Sequence, residues 1–211
     1  MELAKTAYEY SRGSINNLKK NWKSLILLLL FAFGILLGTY ILKHNGELMD
    51  TIIANAFNDY IEAKKDKSIA ANFIDSIKIN LIFIIISFVL GFCAIGTPLI
   101  SLIPVVKGIG IGVICGYLYL KYNFSGLGYC VLIIYPGLIV SMMSLLMACN
   151  FSLSFSYDML LSVIENNKKE LKGEYKLKLF CIRYLIITAI SIFGSVVDSF
   201  AIKLFSGLFS F

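Results

Sequence analysis

Charge is scarce in this sequence. Asp, Glu, Lys and Arg together make up 15% of the 211 residues, against about a quarter in an ordinary soluble domain. Hydrophobic residues reach 58%, and the mean hydropathy is +0.82. So few charges cannot tile a water-facing surface, which excludes a soluble globular domain. Histidine is represented once, by His44 beside the Asn45-Gly46 turn signal. That leaves no metal set and no catalytic triad built on histidine. The five cysteines (Cys93, Cys115, Cys130, Cys149 and Cys181) contain no C-x-x-C pair. They read as small apolar side chains, neither ligands nor a disulfide framework. No nucleophile motif and no paired carboxylates within an apolar run are present, so neither catalysis nor a cofactor is expected.

Long apolar runs are what the sequence does have. Ser24–Leu42 is uncharged, and so is Tyr122–Tyr157. Ile79–Leu120 holds 42 residues with Lys107 as its one charge, and Tyr184–Val197 lies between Arg183 and Asp198. A bilayer core of about 30 Å takes about 20 helical residues, so the 42-residue run is long enough for two spans. The reading is an all-α polytopic membrane protein of about five transmembrane helices in one domain. Its parts are an interfacial segment at 1–23, span one at 24–42, an external helical loop at 43–78, a two-span hairpin at 79–120, span four at 122–154, a basic loop at 155–180, and span five at 181–203. The region before Ser24 is too long for a cleaved signal and no small-x-small site follows it, so a retained anchor is expected.

The basic residues orient the bundle. The segment before span one and the loop between spans four and five hold 11 Lys and Arg, against seven on the other side, mostly in a loop with six acids. By the positive-inside rule the N-terminus is cytoplasmic and the C-terminus external, in the plasma membrane. The net charge of +6 concerns topology and lipid headgroups, and no nucleic-acid partner is expected.

In the external loop, Leu48, Ile52, Ile53, Ala56, Phe57, Tyr60 and Ile61 form one apolar face of a helix. After Lys64–Ser68, a second helix with Ile69, Phe73, Ile74 and Ile77 runs towards span two. This loop is the expected place for an extracytoplasmic protein partner, with lipid or the bundle itself as the competing resting place for its apolar face. Residues 1–23 suggest an interfacial helix interrupted at Gly13-Ser14. A short amphipathic helix at 157–165 offers a cytoplasmic docking element.

The stretch "IGTPLISLIPVVKGIGIGVICG" (Ile95–Gly116) concentrates the unusual residues. Gly108, Gly112 and Gly116 lie four apart on one helical face, the spacing that lets membrane helices approach closely. "GIGIG" lacks the third glycine and the βαβ setting of a dinucleotide fingerprint. Gly96, Pro98 and Pro104 mark the place where the hairpin turns or kinks. If the third span begins near Leu99, Lys107 is about 12 Å deep and faces the bundle; if it begins at Pro104, Lys107 sits at the surface. A deep Lys107 is expected to find carbonyls freed at the Pro98–Pro104 break. Asp198 is expected about 10 Å or more away in depth, capping polar contacts near the outer face with Ser195 and Ser199.

These residues resemble the stage II sporulation protein M family. The likeness rests on the five-span layout, on Ile79-Asn80 opening span two, and on "GTPLI…VVKGIGIGVICGYL" (Gly96–Leu118). It continues in "GLG" (Gly126–Gly128), Pro136 and Asp198. One departure is "PGLIV" after Pro136, where the family often has polar residues. The resemblance implies a membrane scaffold that holds peptidoglycan-degrading partners, the stage II sporulation proteins D and P, at the septal membrane during engulfment. A permease-like transporter subunit is the competing class, because it too predicts intramembrane charge and broken helices.

Overall fold

In the computed structural model, the described backbone covers residues 2–44, 69–93, 96–165 and 170–205. Side-chain surroundings are described within 22–44, 70–93, 96–160 and 177–204. All the regular structure among these residues is helical: α1 (Glu2–His44), α2 (Ile69–Gly91), α3 (Gly96–Tyr129), a π-helical turn (Cys130–Ile134), α4 (Tyr135–Glu165) and α5 (Glu170–Phe205). Helices satisfy their own backbone polar groups, as a chain in lipid requires. Among the described residues, four stretches are long and apolar enough to cross a membrane: Trp22–His44, Ala70–Gly91, Gly96–Leu160 and Leu177–Leu204. The exposed surface fits that solvent, with Leu36 67% and Leu185 72% accessible.

Several local expectations change. α1 runs unbroken through Gly13-Ser14. α2 begins at Ile69, so the last ten residues of the expected external loop, 69–78, are already part of the helix that carries the second apolar stretch. The apolar face at 48–61 lies outside the described residues. The amphipathic stretch at 157–165 continues α4 to Glu165 without a break.

The turn between α2 and α3 comes after Gly91 and before Gly96. Phe92 N–H donates to the Val89 carbonyl and Cys93 N–H to the Leu90 carbonyl, both at 3.1 Å, and Gly96 N–H donates to the Cys93 carbonyl at 2.9 Å. Gly96 is what permits this tightness, because a Cβ there would run into the Leu90 carbonyl. Pro98 falls in the first turn of α3, where a helix has no internal acceptor for its N–H groups anyway. Pro104 is buried inside the helix, which continues past it. Neither proline makes the turn, and Lys107 sits eleven residues into α3, about 16 Å along its axis.

Gly96–Leu160 spans 65 residues and reverses within α3 at Asn123, whose φ of 49° and ψ of −125° are not helical. The chain then folds back so closely that a Cβ on Gly126 would meet the Leu118 carbonyl. This close approach accounts for the first glycine of the "GLG" stretch.

The most extensive pairing joins α1 to α3, and glycine makes it. A Cβ on Gly108 would lie 3.1 Å from Gly34 Cα, and one on Gly112 would lie 3.0 Å from Ile35 Cα. From the other side, a Cβ on Gly34 would come 3.0 Å from Val105 Cα, and one on Gly38 would come 3.0 Å from Val113 N. Gly116 faces the softer side chains of Leu42 and Thr39. Gly34 and Gly38 form a second small-xxx-small pair, legible in the sequence but absent from the expectations drawn there. Helices α4 and α5 form the next pair, with α2 lying against both.

Candidate functional site

Three helices carry polar residues on the face they turn inward. On α2 these are Asn72, Ser76, Asn80 and Ser87; on α4, Ser141, Ser144, Ser152 and Ser156; on α5, Ser191, Ser195 and Ser199. All but Asn80 are buried, and Asn80 is half-buried. The helical spacing of these residues is readable in the sequence, although the expectations named only Asn80, Ser195 and Ser199 among them. A polar side chain in a membrane helix is driven towards protein, because lipid offers it no partner. Many of these serines also bond back to their own helix. Ser141 donates to the Leu138 carbonyl at 3.1 Å and Ser199 to the Ser195 carbonyl at 2.8 Å.

Lys107 projects from α3 into this polar interior. Its Nζ donates to Asn80 Oδ1 and to Ser141 Oγ, each at 3.2 Å, and lies 5.8 Å from the centre of the Phe83 ring. Asn80 Nδ2 in turn donates to Ser195 Oγ at 3.3 Å. The partners of the ammonium are therefore side chains of α2 and α4. The expected carbonyls at the Pro98–Pro104 break are not its acceptors, because the helix keeps its course there and Lys107 lies well beyond it.

Asp198 occupies the adjacent layer. Ser76 Oγ donates to its Oδ2 at 2.5 Å. A Cβ on Gly137 would lie 2.8 Å from both Asp198 Cα and Oδ1, so the glycine after Pro136 is what makes room for the acid. The departure from the family pattern at "PGLIV" thus has a local account. Ser76 precedes Asn80 by one turn on α2, Gly137 precedes Ser141 by one turn on α4, and Asp198 follows Ser195 by three residues on α5. The Lys107 and Asp198 layers are therefore about 5 Å apart along the bundle, not the 10 Å or more expected from span ends. The difference arises because the start of α3 at Gly96 places Lys107 deeper than either assumed span start did.

Both charges line one half-open cavity of about 190 Å³ between α2, α3, α4 and α5. Ser76, Asn80 and Ser141 complete its polar wall, and isoleucines such as Ile111, Ile114 and Ile133 form the apolar one. The π-helical turn contributes Ile133 and Ile134. Pro136 explains why the helix widens there: its ring does not fit against the α-helical turn behind it. The Tyr135 N–H accordingly donates five residues back, to the Cys130 carbonyl. Pro136 is thereby linked to the shape of the cavity, whereas Gly96, Pro98 and Pro104 belong to the α2–α3 turn and Gly108, Gly112 and Gly116 to the α1 seam.

A second polar knot lies further along the same helices. Ser87 Oγ bonds to Tyr184 OH at 3.1 Å and to Ser152 Oγ at 3.3 Å, Ser152 donates to the Ser87 carbonyl at 2.8 Å, and Tyr184 donates to the Ala148 carbonyl at 3.2 Å. Phe88 and Phe180 pack on Tyr184, with ring centroids 4.9 and 4.8 Å away. Every hydroxyl in the knot is engaged, so it reads as a joint between α2, α4 and α5.

Comparison with curated proteins finds no match, and comparison with solved structures finds none either. The family model described as Stage II sporulation protein M matches residues 27–201, from within α1 to near the end of α5, and so takes in the glycine seam, Lys107, Pro136 and Asp198. The chain belongs to the stage II sporulation protein M family.

Proposed function

We propose that this protein is a five-span, non-catalytic scaffold of the plasma membrane, with a cytoplasmic N-terminus and an external C-terminus. In this reading it anchors extracytoplasmic partners that remodel peptidoglycan. Family membership across nearly the whole bundle supports the reading. The observation that carries it is the backbone-to-backbone contact of α1 with α3 at Gly34, Gly38, Gly108 and Gly112. A seam packed on glycine has no side chains to rearrange, so it holds the end of α1 at His44 in a fixed place on the bundle. The two helix ends that flank residues 45–68, His44 of α1 and Ile69 of α2, then belong to one platform, as the mount of an anchoring element for a partner should. The reversal at Asn123 within the 65-residue stretch supports reading it as two crossings, and so five spans in all.

Purification in mild detergent from the native organism, with mass spectrometry of what co-elutes, tests this. Peptidoglycan hydrolases should co-purify, and they should be lost when residues 47–66 are replaced by a flexible linker while the protein stays monodisperse. Co-purification of an ABC-type ATPase, without hydrolases, would overturn the scaffold. A membrane subunit of a transporter is the second reading, and the Lys107–Asp198 cavity favours it. Charge held inside a bundle beside a widened helical turn is the usual setting of a transported ligand.

A further inference from the structure

The cavity between α2, α3, α4 and α5 presents two opposite charges in a setting where charge is costly. The Lys107 ammonium donates to two neutral groups, Asn80 and Ser141. It has three protons to give, so a third donor position remains for an acceptor in the cavity. Asp198 accepts from Ser76 and lines the same cavity one layer away. A carboxylate offers about four acceptor positions, enough to serve the bundle and a ligand together. In a medium of low dielectric, opposite charge brought to either group is worth more than it would be in water.

A ligand that answers both must carry both signs. An anion would gain at Lys107 but meet the field of Asp198 about one turn away, and a cation would face the reverse. A zwitterion places one charge in each layer, and the roughly 5 Å between the layers is within reach of a compact molecule whose hydrogen bonds extend from both ends. Size limits the class further. Drug-sized ligands occupy about 300–1,000 Å³, and this cavity is about 190 Å³. The remaining wall is aliphatic, from Ile111, Ile114 and Ile133, and suits an apolar side chain.

We propose that this cavity is a binding site for a small zwitterion of the amino-acid class, with its carboxylate at Lys107, its ammonium at Asp198 and its apolar side chain against the isoleucines. Gly137 is part of the site, because any side chain there would displace Asp198. The site goes beyond the scaffold reading and does not depend on it.

The test uses the full chain in nanodiscs of phosphatidylglycerol, with thermal denaturation followed against a panel of the common amino acids and L-leucine titrated by calorimetry. Aliphatic amino acids should raise the denaturation temperature. Leucinamide, which lacks the carboxylate, and 4-methylpentanoate, which lacks the ammonium, should each bind on the order of a hundredfold more weakly, as expected for the loss of one desolvated charge pair. Lys107→Met and Asp198→Asn should each abolish the shift. Ile114→Phe, which keeps both charges and fills the apolar side of the cavity, should weaken leucine binding at least about tenfold, and it serves where a charge variant is not monodisperse. Four results would overturn the proposal: no shift from any amino acid, equal binding of 4-methylpentanoate and leucine, wild-type leucine affinity in Ile114→Phe, or a shift given only by phosphatidylethanolamine added to the nanodisc.

Discussion

Asn80 joins Lys107 to the rest of the bundle. The lysine donates to its Oδ1 at 3.2 Å, while its Nδ2 donates to Ser195 at 3.3 Å, so one amide on α2 links α3 to α5. Replacing Asn80 with Leu removes an acceptor from a half-buried ammonium and should cost about 1–3 kcal/mol. Adding Lys107→Met should recover part of that loss, because replacing both partners of a buried bond by apolar groups can be nearly neutral. Ser141 and Ser195 keep their bonds to the Leu138 and Ser191 carbonyls, which is what makes recovery possible. Denaturation midpoints of the two single variants and the double variant measure this. Losses that simply add would mean that Asn80 does not hold the lysine.

The glycine seam predicts a contrast between neighbours. Gly108→Leu and Gly112→Leu put a side chain where α1 backbone already stands, and each should destabilise by at least the ~1–3 kcal/mol typical of overpacking. A Cβ on Gly110, between them, would meet nothing within 4 Å, so Gly110→Leu should be close to neutral. Melting of the three variants in the same detergent checks the contrast, and equal losses would contradict the seam.

Asn123 has a backbone conformation that L residues rarely adopt, at φ 49° and ψ −125°. Gly takes a positive φ without the Cβ penalty, and relief of such a conformation is worth on the order of 1 kcal/mol. Asn123→Gly should therefore stabilise the protein, and Asn123→Val should destabilise it by more. A less stable glycine variant would mean that the asparagine side chain contributes a contact beyond its conformation.

Orientation rests on the excess of lysine and arginine around α1 and between α4 and α5. In a background with Cys93 and Cys181 replaced, both being exposed, Asn55→Cys should react with an impermeant maleimide on intact cells. Asn166→Cys should react only after permeabilisation. The reverse pattern would move the segment proposed to bind a partner to the cytoplasm.

Solvent class, helical content and family were legible in the sequence because each depends on local composition. Uncharged runs long enough for a bilayer demand helices wherever they fall in space, and Gly108, Gly112 and Gly116 show their shared face by spacing alone. The site was legible only in fragments. Lys107 and Asp198 stood out as charges, and Asn80 and Pro136 as family features, yet nothing local placed them together. Periodicity says which residues share a face on one helix, but not how far that helix slides against its neighbours. The start of α3 at Gly96, the reversal at Asn123 and the widened turn before Pro136 set those offsets. They bring Asn80 and Ser141 to the lysine and Ser76 and Gly137 to the aspartate. That two charges would lie in or beside membrane spans followed from composition and run length. That they share a cavity followed from the packing of four helices, because register between helices is a property of their contacts and not of any one of them.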